Sequence, residues 1–138
     1  MSPPPQSRIT LPTGSLIGVA IGGPALAALC WIAASFVGTW GESGRLPGLY
    51  AIAATAVVST LTVIAIRPGK PRPILVWGGV LIAASTARIV ASIGACLLLY
   101  SAARLPAGPL LIGAMAGLVP VLVGETTLAT RRFRRDGT

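Results

Sequence analysis

The chain has 138 residues, of which 54% are hydrophobic and only 10% are charged, and its mean hydropathy is +0.82. A soluble domain has about 25% charged residues, so this chain lacks the polar surface that a water-soluble enzyme, a disordered segment or a nucleic-acid-binding domain requires. The net charge of +8 comes from short basic clusters between long apolar runs, a pattern typical of membrane proteins.

Four apolar runs follow one another, and each is long enough to cross a bilayer as a helix. No run alternates with period two, and lipid offers an open backbone no hydrogen-bond partners, so each run is predicted to be helical. Proline and glycine, which end helices, are concentrated in the separators. The predicted spans are 16–40, 49–66, 74–100 and 109–130, and the predicted short tails are 1–13 and 131–138.

The first two runs carry small or hydroxyl-bearing residues at helical spacing. Gly14, Gly18 and Gly22 form two overlapping GxxxG steps at the start of the first run. Such steps let two helices approach closely, so these glycines are predicted to pack either inside the chain or in an oligomer. The second run places three hydroxyl side chains on one helix face: Thr55, Ser59 and Thr62.

The third run contains Arg88, with Ser85 three residues before it and Ser92 four residues after it on the same face. A charged residue in a membrane span is energetically costly, so it usually faces a partner or water and is a candidate for function. The hydroxyls could form a polar path for an ion or proton. We favour hydrogen bonds between helices, because arginine does not release its proton and few other groups titrate here.

The fourth run contains Glu125, which is the second intramembrane charge, and a further GxxxG step at Gly113 and Gly117. It is followed by a basic cluster, for which we predict anchoring to anionic lipid headgroups. The arginines of this cluster are Arg131, Arg132, Arg134 and Arg135.

The two intramembrane charges are predicted to form a pair. Side chains lean toward the N-terminus of their helix, so on consecutive antiparallel helices Arg88 and Glu125 lean toward each other. Their depths differ by about 10 Å at 1.5 Å per residue, a gap that two long side chains and a water can close. The alternatives are separate extension of each side chain toward the headgroups and contact with another subunit.

The distribution of basic residues predicts the orientation. With the N-terminus in the cytoplasm, eight lysines and arginines lie inside and two, Arg45 and Arg104, lie outside. This bias predicts that both termini are cytoplasmic. Trp40, Tyr50 and Tyr100 then fall at the outer interface, while Trp77 falls at the inner one.

The sequence offers little for catalysis or cofactor binding. It has no histidine, and its two cysteines, Cys30 and Cys96, lie within apolar runs, where the simplest interpretation is two buried small side chains. Zinc and haem therefore lack their usual ligands. Because no catalytic triad, carboxylate pair or phosphate-binding loop is present either, we expect a non-enzymatic protein without metal or cofactor.

The layout resembles the ATP synthase subunit I family, small four-helix accessory membrane proteins of bacterial F-type ATP synthases. The likeness runs from about Leu16 to Arg135 and includes the helix pairs, the short basic inner turn and the short basic tail. Family members often show a small residue, an acid, two residues and a base in the third helix. The stretch from Ala84 to Arg88 matches the base, while Ser85 stands at the position of the acid. The resemblance implies a role in assembling or stabilising the rotor ring, or in supplying magnesium to the enzyme.

These observations predict an all-α polytopic protein of the bacterial cytoplasmic membrane, with four transmembrane helices in two hairpins. The function expected first is that of an accessory or assembly factor of a larger membrane complex, with anionic lipids and other membrane subunits, such as those of the ATP synthase, as partners. The alternative is a small oligomeric channel, holin or ion carrier with a polar path near Arg88 and Glu125. No nucleic-acid partner is expected, and self-association is a further expectation from the GxxxG steps.

Overall fold

The computed structural model describes residues 8–38 and 41–136, and this part of the chain folds mainly as four long helices. Each helix contains a stretch long and apolar enough to cross a membrane. The predictions of an all-α fold and of four helices long and apolar enough to cross a membrane are therefore confirmed. The helices are α1 (Thr13–Val37), α2 (Gly41–Ile66), α3 (Ile74–Ala103) and α4 (Ala107–Asp136).

The first separator is not a loop, because α2 begins at Gly41 rather than at Leu49. The predicted second span therefore begins too late, because residues 41–48 already belong to the helix. Glu42 lies in the first turn of α2, where its negative charge interacts favourably with the helix dipole. Contacts with α1 also hold this turn, since Trp31 Nε1 donates a hydrogen bond to the Arg45 carbonyl (3.2 Å) and Arg45 Nε donates one to Ser35 Oγ (2.9 Å).

The other helix ends also differ from the predicted spans. α1 begins at Thr13 and ends at Val37, and α3 continues beyond Tyr100 to Ala103. α4 continues to Asp136, so the predicted separate tail from residue 131 is wrong up to that residue. Arginine is a good helix former, and positive charge near a helix C-terminus is favourable. The basic cluster therefore extends α4 instead of ending it.

The N-terminal segment is attached to the loop between α2 and α3 by a short strand pair that the sequence did not predict. β1 (Arg8–Ile9) pairs with β2 (Arg72–Pro73) in antiparallel register. Trp77, which is fully buried, donates a hydrogen bond from Nε1 to the Ile9 carbonyl at 2.9 Å. This part of the predicted tail is therefore ordered against the bundle, while residues 1–7 lie outside the described residues.

Consecutive helices run antiparallel, so the two central helices, α2 and α4, run in the same direction. α1 and α3 lie on either side of this central pair, and each contacts both of its members. One core cluster joins Leu16, Val63 and Trp77 to the C-terminal half of α4, and a second joins Ala51 and Cys96 to the start of α4. Because the central pair consists of one helix from each predicted hairpin, the division into two hairpins stays a prediction.

The basic residues are concentrated at one end of the bundle, which we call the basic end. Both described chain ends lie there, together with the α2–α3 loop and Trp77. The opposite end carries Arg45, Arg104 and Glu42, while Trp40 lies outside the described residues. The basic end contains Arg8, Arg67, Lys70, Arg72, Arg131, Arg132, Arg134 and Arg135.

Candidate functional site

The structure brings Arg88 of α3 and Glu125 of α4 together in a two-point ion pair. Nη1 of Arg88 donates to Oε2 of Glu125 at 2.7 Å, and Nη2 donates to Oε1 at 2.8 Å. This parallel arrangement matches the planar guanidinium to the planar carboxylate and is the strongest geometry for such a pair. The side chains close the expected offset directly, without a bridging water.

The ion pair lies in the helix interface rather than at a headgroup level. Arg88 is 0% exposed and Glu125 is 6% exposed. Arg88 belongs to a buried row on α3 in which every fourth residue faces the neighbouring helices, with Ala84 and Ser92 beside it. In low dielectric, each charge would be costly alone, whereas the pair is neutral. Separate extension of the two side chains to the headgroups is therefore not what the structure shows.

Three buried polar atoms near the middle of the bundle make no hydrogen bond to the described residues. They are Nε of Arg88 and the Oγ atoms of Ser59 and Ser92. Ser59 is fully buried and Ser92 is 2% exposed. An unsatisfied buried polar group costs about 1–3 kcal/mol, so the ion pair and the packing around it must offset that cost.

The threonines of the predicted polar faces bond to their own helix. Thr55 Oγ1 donates to the Ala51 carbonyl at 2.9 Å, and Thr62 Oγ1 donates to the Val58 carbonyl at 2.7 Å. The buried serines make no bond across the interface either. The favoured interpretation, hydrogen bonding between helices, is therefore wrong for these four side chains. Such back-bonding satisfies a hydroxyl proton locally and lets the side chain pack as a small core residue.

A groove between α3 and α4 leads toward the ion pair from the basic end. Its volume is about 390 Å³, and Glu125 forms part of its wall. Ser85 lies in this wall as well, so it faces the groove rather than the buried row around Arg88. The other polar wall residues are Thr86, Thr126 and Thr130, and the groove extends to Gly78 and Phe133.

The two predicted glycine motifs behave differently. A Cβ atom built on Gly113 would lie 2.6 Å from the Gly48 carbonyl oxygen, and one on Gly117 would lie 3.2 Å from Thr55 Cβ. These two glycines therefore let α4 approach α2 closely. At Gly14, Gly18 and Gly22, a Cβ would meet nothing within 4 Å, so the described residues do not pack against them, and contact in an oligomer stays a prediction.

Sequence reasoning missed several close contacts that hold the bundle. Gly48 is buried beneath the indole of Trp31, and a side chain there would overlap that ring. A Cβ on Gly124 would lie 2.5 Å from Val19 Cγ1, which places α1 against α4. Pro47 directly before Gly48 indicated a turn rather than a close helix contact. Nothing in the sequence distinguished Gly124 from the other glycines.

The remaining predicted residues lie at the surface or in the core. Cys96 is buried as expected, but Cys30 is exposed on α1, so that half of the cysteine interpretation is wrong.

Among residues 8–38 and 41–136, no three His, Cys, Asp or Glu side chains come together as metal ligands. The basic cluster lies on the last turns of α4, where Arg131, Arg134 and Arg135 are exposed and Arg132 is half-buried.

Comparison of the chain with protein-family models, with curated proteins and with solved structures finds no match. The function is therefore inferred from the ion pair, the groove and the open glycine positions. The ion pair is formed within the chain, the groove places Glu125 and a few hydroxyl side chains among mainly apolar ones, and the three glycines are exposed.

Proposed function

We propose that this chain is a non-enzymatic accessory or assembly subunit of a larger membrane complex. The observation that carries the proposal is the ion pair: Arg88 and Glu125 bond to each other at two points inside the chain. The two charged groups bond to each other and so hold α3 against α4. They do not face an open path through the bundle. A structural subunit needs this kind of rigid core, whereas an ion carrier needs charges that can engage the ion.

The charge distribution supports placing the basic end in the cytoplasm. Eight basic residues lie at that end and two at the other, which agrees with the positive-inside rule. Both termini would then be cytoplasmic, and the arginines at the end of α4 would lie among anionic headgroups. A bacterial cytoplasmic membrane is the setting that the family resemblance implies.

The surface proposed to receive a partner is the exposed glycine row of α1, formed by Gly14, Gly18 and Gly22. The row is open because none of its positions contacts another part of the described chain. In lipid, small residues allow two helices to come close enough for dispersion contacts and weak backbone interactions. We propose membrane subunits as partners, with those of an F-type ATP synthase first.

The experiment that tests this function is a pull-down of the tagged chain from its native membrane in mild detergent, followed by mass spectrometry. Recovery of ATP synthase membrane subunits supports the proposal and its named partner. Recovery of another defined complex supports an accessory role but rejects the ATP synthase. Recovery of the chain alone, as an oligomer of itself, contradicts the accessory function.

Replacing Gly18 by leucine should abolish recovery of the partner while the bundle remains folded. The new side chain projects from the open face of α1 into space that the chain does not occupy, so it blocks a close helix contact without disturbing the core. Gly79→Leu is the matched control, because Gly79 is also exposed and open but lies on α3. Equal recovery with both variants would exclude the glycine row as the partner surface.

The transport alternative is kept because the groove brings polar side chains to Glu125. We expect proteoliposomes containing the chain to show no more ion flux than protein-free liposomes. A carrier would instead give flux that Glu125→Gln removes and Glu42→Gln, an exposed carboxylate near the opposite end, leaves unchanged. That result would replace the accessory function by transport.

A further inference from the structure

The wall of the α3–α4 groove is mainly apolar, with Leu81, Ile82 and Ile89 on α3, but it also presents hydrogen-bond acceptors. Thr86, Thr126 and Thr130 each donate their hydroxyl proton to a carbonyl of their own helix, at 3.0, 2.7 and 2.8 Å. Each hydroxyl oxygen therefore keeps acceptor capacity, and all three side chains form part of the groove wall. The carboxylate of Glu125 is a fourth acceptor, and each of its oxygens keeps lone pairs after bonding to Arg88.

This chemistry selects what can occupy the groove. Acyl chains have no hydrogen-bond donors, so lipid would leave these oxygens desolvated. Anions carry only acceptors and match the wall poorly, while cations are repelled by the eight positive charges of the basic end. Water is small and neutral, and each molecule donates two hydrogen bonds.

We propose that the groove is a water-filled crevice through which the aqueous phase at the basic end reaches the carboxylate of Glu125. Its lining begins at Gly78 and Phe133, close to the ends of α3 and α4 at the basic end, and it reaches Ile89 and Glu125. Thr126 lies five residues before the first arginine of the basic cluster, about 8 Å deeper along the helix axis. The crevice therefore carries water to a level where a lipid-facing side chain is dry.

With such a crevice, water contacts the ion pair on the Glu125 side, while the Arg88 side contacts only protein. Arg88 is fully buried, whereas Glu125 keeps a small exposed fraction and forms part of the crevice wall. Glu125 can then accept hydrogen bonds from water while its two bonds to Arg88 persist. The crevice does not depend on the accessory function. The pull-down tests only the accessory function, and thiol labelling tests only the crevice.

Thiol labelling in liposomes tests the crevice directly. Thr126→Cys and Thr127→Cys are made in a chain carrying Cys30→Ala and Cys96→Ala, and N-ethylmaleimide reacts with each. The two threonines are exposed, adjacent and identically bonded to the carbonyl four residues before them, but Thr126 lines the groove and Thr127 does not. Because the thiolate is the reacting species and apolar surroundings suppress it, Thr126→Cys should react at least about tenfold faster.

Equal labelling rates at the two positions in the folded protein would overturn the proposal and indicate a groove filled by lipid. The same rates measured after denaturation in detergent should be equal, which verifies that both thiols are intact. Filling the crevice provides a second test: Gly78→Leu should slow labelling of Thr126→Cys several-fold, because Gly78 lines the groove and has free space around it. Gly79→Leu, on the neighbouring outward face, should leave the rate unchanged, and a loss with both variants would also count against the crevice.

Discussion

Replacing Arg88 by methionine is expected to destabilise the bundle by about 3–5 kcal/mol, as is typical when one partner of a buried ion pair is removed. Methionine keeps much of the side-chain volume, so a cavity contributes little to the loss. The main cost comes from Glu125, which is 6% exposed and loses both hydrogen bonds from the guanidinium. The measurement is the free energy of unfolding in mixed detergent micelles.

The double variant separates the charge effect from simple loss of packing. Glu125→Gln alone leaves the Arg88 guanidinium as an unpaired positive charge, so it should also be strongly destabilising. With Arg88→Met and Glu125→Gln together, no charge is left unpaired, so the loss should be well below the sum of the two single losses. A coupling energy of about 1–3 kcal/mol is expected for residues in direct contact. Additive losses would show that the two charges do not depend on each other.

The helices and the charge pair could be predicted from the sequence because each has a local or near-local cause. Apolar length alone defines four spans, since lipid forces each span to form its own hydrogen bonds. The approach of Arg88 and Glu125 follows from two antiparallel neighbours and the lean of side chains along a helix. Both arguments need only spacing along the chain.

The features that the sequence did not predict depend on contacts between distant segments. Residues 41–47 contain Pro47 and two glycines and so resemble a turn, yet contacts of Trp31 and Ser35 with Arg45 hold them in α2. The serines and threonines allow bonds between helices, but the actual helix separation leaves the threonine protons on their own backbone. Which glycines lie in an interface depends on the rotation of each helix, and composition does not set that rotation.

Gly113 provides the second large expected effect, because it lies where the backbones of α2 and α4 are closest. A Cβ at Gly113 would lie 2.6 Å from the Gly48 carbonyl oxygen and 2.9 Å from Gly48 Cα. Both atoms belong to the backbone, so no side-chain rotation relieves the overlap and the two central helices must separate. Gly113→Ala is expected to destabilise the bundle by about 1–3 kcal/mol or more, in the range of overpacked cores.

A graded series of glycine-to-alanine variants tests this packing model. Alanine in a helix is intrinsically favoured over glycine by about 0.5–1 kcal/mol, so Gly18→Ala, at an open position, should be neutral or slightly stabilising. Gly117→Ala should fall between the two, because its Cβ would meet the side chain of Thr55 at 3.2 Å, which can shift, rather than backbone. The expected order of unfolding free energy is therefore Gly18→Ala, then Gly117→Ala, then Gly113→Ala. If Gly113→Ala proved as stable as Gly18→Ala, the close α2–α4 crossing at Gly48 would be refuted, and with it the assignment of α2 and α4 as the central pair.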